Sequence, residues 1–83
     1  MKRIIYSKES LKTLDRIPAN EADRVRAKIR QFAADPDSLA NNVKTLSGVP
    51  FIRLRVGDWR VVMDDQGHVL AIVRIGPRGG VYD

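Results

Sequence analysis

The stretch Ile52-Arg53-Leu54-Arg55-Val56-Gly57-Asp58-Trp59-Arg60-Val61-Val62-Met63 decides the fold. Apolar and charged residues alternate on both sides of a Gly-Asp pair, the period-two signature of two antiparallel strands joined by a two-residue turn. With Gly57 and Asp58 as the turn, Val56 stands opposite Trp59, Arg55 opposite Arg60, Leu54 opposite Val61, Arg53 opposite Val62 and Ile52 opposite Met63. That register sends Ile52, Leu54, Val56, Trp59, Val61 and Met63 to one face and Arg53, Arg55 and Arg60 to the other. Like charges set directly opposite each other cost stability. An Arg55–Arg60 pair therefore points to an anionic ligand, a reading weighed against the plainer one that exposed arginines shield strands from aggregation.

Toward the C-terminus, Asp64-Asp65-Gln66-Gly67 marks a second turn, and alternation in the strand after it puts Leu70 and Ile72 in the core. The same alternation sends Ala71, Val73 and Ile75 to the open face and sets Arg74 beside Trp59, stacked on its ring. Gly76-Pro77 ends or bends this strand. The freedom of Gly79-Gly80 then lets Arg78 and Tyr82 fold back toward the arginine face, the alternative for Tyr82 being a frayed terminus. His68, the only histidine, follows a glycine in the turn and reads as a turn residue rather than an acid–base catalyst.

Toward the N-terminus, residues 2–6 form an Ile- and Tyr-rich strand, and Ser7 caps a helix over residues 8–17 whose stripe is Leu11, Leu14 and Ile17. Pro18 ends it. Asn20 is the expected cap of a second helix reaching Ala34, with Ala22, Val25, Ile29, Phe32 and Ala33 on its apolar face. Residues 39–47 read as an irregular connector with Val43 and Leu46 turned inward. The order is β-α-α-β-β-β, an α+β fold in which a helical hairpin covers one face of a small antiparallel sheet. The opposite face is left for a ligand. Lys44 and the helix lysines extend its positive field, although most of them belong to a solvated surface.

A chain of 83 residues holds one domain, spanning 1–83. Without cysteine and with a single histidine it offers neither a disulfide framework nor a structural zinc site. No apolar run approaches the ~20 residues that span a bilayer, and no signal segment is visible, so the expected compartment is the cytoplasm, with no membrane partner. The net charge of +5 favours polyanions without choosing among them.

Three runs carry a resemblance to a known family. They are Val43-Lys44-Thr45-Leu46-Ser47-Gly48, the segment from Phe51 to Val62, and Val73-Arg74-Ile75-Gly76-Pro77-Arg78-Gly79-Gly80-Val81-Tyr82. Together they closely resemble the RelE/ParE toxin superfamily of type II toxin–antitoxin systems, over essentially the whole chain. The specific part is an Arg-x-Arg-x-Gly-Asp-aromatic-Arg hairpin followed by Gly-x-Arg-x-x-Val-Tyr. RelE-like toxins cut messenger RNA in the ribosomal A site, whereas ParE-like toxins poison DNA gyrase and lack the nuclease residues. Arg53, Arg55, Arg60, Arg78 and Tyr82 are similar to the RelE side.

The resemblance implies a RelE-like microbial RNase fold and a ribosome-dependent endoribonuclease, an mRNA interferase that inhibits translation without metal or cofactor. Arg60, Arg78 and Tyr82 would be catalytic, and Arg53, Arg55 and Lys44 would bind RNA. An arginine fork suits phosphate and transition-state contacts, while a tyrosine can stack on a base or exchange a proton. Pro77 stands where many relatives carry histidine, and Phe51 and Arg53 stand where some RelE proteins carry lysine, which implies that the ribosome supplies alignment. The implied partners are a separate cognate antitoxin that masks the basic face, the ribosome with its mRNA, and operator DNA only through the antitoxin complex. The alternatives are a ParE-like gyrase inhibitor and a catalytically degenerate toxin acting mainly as antitoxin partner and corepressor.

Overall fold

The computed structural model describes residues 1–79. Along the chain come β1 (Arg3–Tyr6), α1 (Lys8–Arg16), α2 (Ala19–Ala34), a 3-10 segment (Pro36–Asn42), β2 (Val43–Thr45), β3 (Ile52–Val56), β4 (Trp59–Asp65) and β5 (Val69–Pro77). The strands form one five-stranded sheet in the order β1-β5-β4-β3-β2. Gly57 takes φ +58° and Asp58 keeps a negative φ, as a type II′ hairpin turn requires of its two central residues. All five cross-strand pairs expected of this hairpin are present, from Val56 with Trp59 to Ile52 with Met63.

Both helices pack on the face that carries Leu54, Val61 and Met63. Leu14 of α1 and Val25, Ile29 and Phe32 of α2 meet these residues together with Leu70, Ile72 and Ile75 in one buried cluster. The Trp59 indole N–H donates to Glu21 Oε1 at 3.2 Å, tying the hairpin to α2. Leu11, expected in the apolar stripe of α1, remains 40 % exposed, while Ser10 is fully buried. The face that α1 turns inward thus carries Ser10 and Leu14 rather than Leu11.

Three further expectations are corrected. The connector over residues 39–47 contains structure: the 3-10 segment buries Leu39, and Val43–Thr45 pairs antiparallel with β3 as an extra edge strand. Asn20 does not cap α2, which starts at Ala19 with Pro18 as its cap and Pro18 O accepting from the N–H groups of Glu21 and Ala22. Finally, the β4–β5 register shifts between Val62 and Met63, so that Val62 faces Arg74 while Met63 faces Ile72. The extra residue, Val73, is a β-bulge. Beyond it the two faces exchange: Ile75 turns into the core at 3 % exposure, and Arg74 joins the open face instead of stacking on Trp59, whose partner on β5 is Pro77.

A bulged residue loses its ladder partner, and Ser7 compensates. Its hydroxyl donates to Val73 O at 2.7 Å and accepts from Ser10 N–H at 3.0 Å, while Ser7 N–H donates to Ile72 O at 2.9 Å. The N-cap of α1 is thereby fastened to the bulge. Ser7→Ala is expected to cost about 1–2 kcal/mol, a cap plus a bulge carbonyl left without its donor. Urea denaturation checks it, and a loss below about 0.5 kcal/mol would mean that the cap acts without the bulge.

Candidate nucleic-acid interface

On the face away from the helices, strand pairing lays the side chains out in rows. Lys44 on β2 stands opposite Arg53 on β3, Arg53 opposite Val62 on β4, and Val62 opposite Arg74 on β5. In the next row on this face Arg55 stands opposite Arg60, which is followed by Gly76. The short strand β2 therefore adds a second like-charge pair, Lys44–Arg53, beside Arg55–Arg60. Val62 lies on this outer face yet has 0 % exposure. Arginines flank it on both neighbouring strands, and their aliphatic stems are suited to covering apolar surface.

A groove of about 300 Å³ runs along these rows, lined by Asn41, Asn42, Val43, Lys44, Arg53, Arg55 and Arg60. Its far wall is the 3-10 segment and β2, the part of the chain whose structure the sequence concealed. Arg60 is half-buried, and its Nη1 donates to Gly57 O at 2.9 Å and to Trp59 O at 3.0 Å. Those bonds orient the guanidinium on its own turn and leave Nε and Nη2 without a hydrogen bond among the described residues. Among the described residues neither a carboxylate nor an imidazole lines the groove. The groove can hold phosphate oxygens and offset charge developing on them, since arginine and lysine donate and do not accept.

Lys44, Arg53, Arg55 and Arg60 are therefore brought together as expected. Arg78 stands apart from the groove at the end of the hairpin, its backbone N–H donating to Asp58 O at 2.7 Å. Tyr82 lies outside the described residues. Arg74 was missed as a member of this face because the bulge is invisible in the alternation; its Nε meets Glu9 Oε1 at 3.0 Å. His68 is exposed in the β4–β5 turn, away from the cationic rows.

Among solved structures, the chain is similar to the RelE–RelB complex of the archaeon Pyrococcus horikoshii, with 24 % identity, a TM-score of 0.77 and coverage of 96 % of this chain and 98 % of that one. It is also similar to the RelB–RelE antitoxin–toxin complex of Methanococcus jannaschii, at 23 % identity, TM-score 0.73 and 95 % coverage of both chains. The intact E. coli RelBE complex follows at 18 % identity and TM-score 0.69, with 93 % of this chain and 96 % of that one covered. These likenesses establish a RelE-type α+β fold. No curated protein sequence matches the chain.

The class of protein is given by a family model rather than by the fold: a toxin of a type II toxin–antitoxin system. The family model described as "ParE toxin of type II toxin-antitoxin system, parDE" matches residues 4–82, and the chain belongs to that family.

The paired cations make a prediction about stability. Arg55→Thr removes a like charge opposite Arg60 and places a good strand former on the open face. We expect it to raise stability by about 0.2–1 kcal/mol at low ionic strength. The gain should shrink in ~1 M salt, where the screening length falls to about 3 Å. Urea melts at the two salt concentrations check this, and a destabilised variant at low salt would contradict the repulsive pair.

Proposed function

We propose that this toxin cleaves messenger RNA on the ribosome, as a metal-independent endoribonuclease that stops translation. The observation that carries the reading is the pair of like-charge cross-strand contacts, Lys44–Arg53 and Arg55–Arg60, placed side by side in one groove. Like charges across Arg55–Arg60 are disfavoured by folding alone, and a polyanionic backbone lying along the groove relieves them. Counterion release from that backbone would supply most of the affinity.

In the reaction the ribose 2′-oxygen attacks the adjacent phosphorus, the bond from phosphorus to the 5′-oxygen breaks, and a 2′,3′-cyclic phosphate and a 5′-hydroxyl result. The toxin must hold the nucleophile in line and offset charge on the pentacoordinate phosphorus. Arg60 and Arg78 serve the second task, Arg53, Arg55 and Lys44 hold the backbone, and Tyr82 stacks on a neighbouring base or exchanges a proton. The described groove lining contains no proton acceptor, so the 2′-hydroxyl proton leaves to Tyr82 or to a group of the ribosome. A cognate antitoxin with an acidic segment would silence the toxin by covering the same face.

A second reading is inhibition of DNA gyrase. It is favoured by the ParE description of the family and by a groove whose described lining holds no carboxylate or imidazole.

Primer extension on a translated message after brief induction separates the two. Wild type is expected to cut at ribosome-occupied codons, and Arg60→Ala and Arg78→Ala to remain folded, abolish the cuts and relieve growth arrest. Intact message with DNA breaks and arrested growth would move the assignment to gyrase. Intact message with normal growth would leave a corepressor without catalysis.

A further inference from the structure

The α2 helix brings one more cation to the tip of the β3–β4 hairpin. A Cβ placed on Gly57 would overlap Arg24 Nη2 and stand 3.0 Å from its Cζ. The Arg24 guanidinium thus lies against the bare Cα of the turn glycine, a position that any side chain at residue 57 would deny it. Arg24 is exposed and makes no hydrogen bond or ion pair among the described residues. Contact with backbone, rather than with an anion, sets its place, and its donors are left for a partner.

Two other arginines meet the same turn. Arg60 Nη1 donates to Gly57 O at 2.9 Å, and the Arg78 backbone N–H donates to Asp58 O at 2.7 Å. Three elements distant in sequence therefore converge on two residues: α2 through Arg24, β4 through Arg60 and the chain following β5 through Arg78. The carboxylate of the turn, Asp58, forms no ion pair among the described residues. The Arg24 and Arg60 guanidinium groups set against one turn are suited to successive phosphates, since each can grip two oxygens.

We infer that Arg24 is a nucleic-acid-binding residue, which takes a backbone phosphate at the hairpin tip beyond the one held by Arg60 and Arg78. This rests on the RNA reading above and adds a path to it: the strand leaves the groove over the Gly57–Asp58 turn and continues toward α2. The ligand is a phosphodiester of single-stranded RNA, and Gly57 admits the arginine that meets it.

The test is equilibrium binding of the full-length toxin to a fluorescent single-stranded RNA of about 12 nucleotides over a range of KCl, chosen because phosphate contacts set the salt slope. Arg24→Gln, Arg55→Gln and Arg30→Gln are compared with wild type. Arg30 is an exposed arginine on the same helix that touches neither turn nor groove, and it reports charge alone. Arg24→Gln and Arg55→Gln should each weaken binding about tenfold near 0.1 M salt and flatten the log–log slope by about 0.7, while Arg30→Gln changes affinity less than about twofold. Equal effects of Arg24→Gln and Arg30→Gln, with Arg55→Gln still impaired, would overturn the tip site and leave the groove intact. No binding by wild type, or an Arg55→Gln variant that binds as well as wild type, would overturn the RNA reading and the tip site with it.

Discussion

The positive φ of Gly57 is the constraint on which the remaining structure depends. A two-residue turn fixes the register of the hairpin, and in a sheet the register decides which side chains meet the core. A slip of one residue would exchange the faces, burying Arg53 and Arg55 and exposing Leu54 and Val56. The turn glycine has a further part through what it lacks: with no Cβ, it lets Arg24 approach the hairpin tip. One backbone position thus controls the core, the cationic rows and the convergence of arginines at the end of the hairpin.

The magnitudes explain why such a charged face is tolerated. Each like-charge pair costs about 0.2–1 kcal/mol, whereas burying one large aliphatic side chain contributes about 1.5–3 kcal/mol. Leu54, Val61 and Met63, all at 0 % exposure, sit on the same strands as the arginines and face the other way. The alternation that creates the repulsion therefore also offsets it. Stability and ligand affinity are drawn from opposite faces of the same strands, so a change on the outer face reaches function with little loss from the core.

How far the sequence could be read follows from the strength of the local signal. The hairpin register and the gathering of Arg53, Arg55 and Arg60 were legible because period-two alternation and a Gly-Asp turn admit one solution, and both helices because their apolar residues recur at helical spacing. The strand at Val43–Thr45 was not, since three residues with one inward side chain carry no measurable period; its pairing becomes visible only once β3 is in place. Nor was the bulge at Val73: Val73-Arg74-Ile75 alternates equally well in either register, and the choice is made by tertiary contacts, Ile75 entering the core and Ser7 taking the freed carbonyl. The approach of Arg24 to Gly57 joins residues far apart in sequence, and no pattern within either segment announces it.

The parallel pairing of β1 with β5 has a consequence for the order of events in time. Arg3 to Tyr6 align with Val69 to Ile72, so the strand synthesised first finds its partner only when the last strand of the sheet has been made. Contacts of such sequence separation impose a large loop-closure cost and slow folding. During synthesis the helices and the hairpin can form earlier, but the sheet closes and α1 is fastened to the bulge only after β5 has been made. A partial chain therefore lacks the finished surface, and the interval before closure is a window in which a binding partner could meet the chain before its toxicity is established.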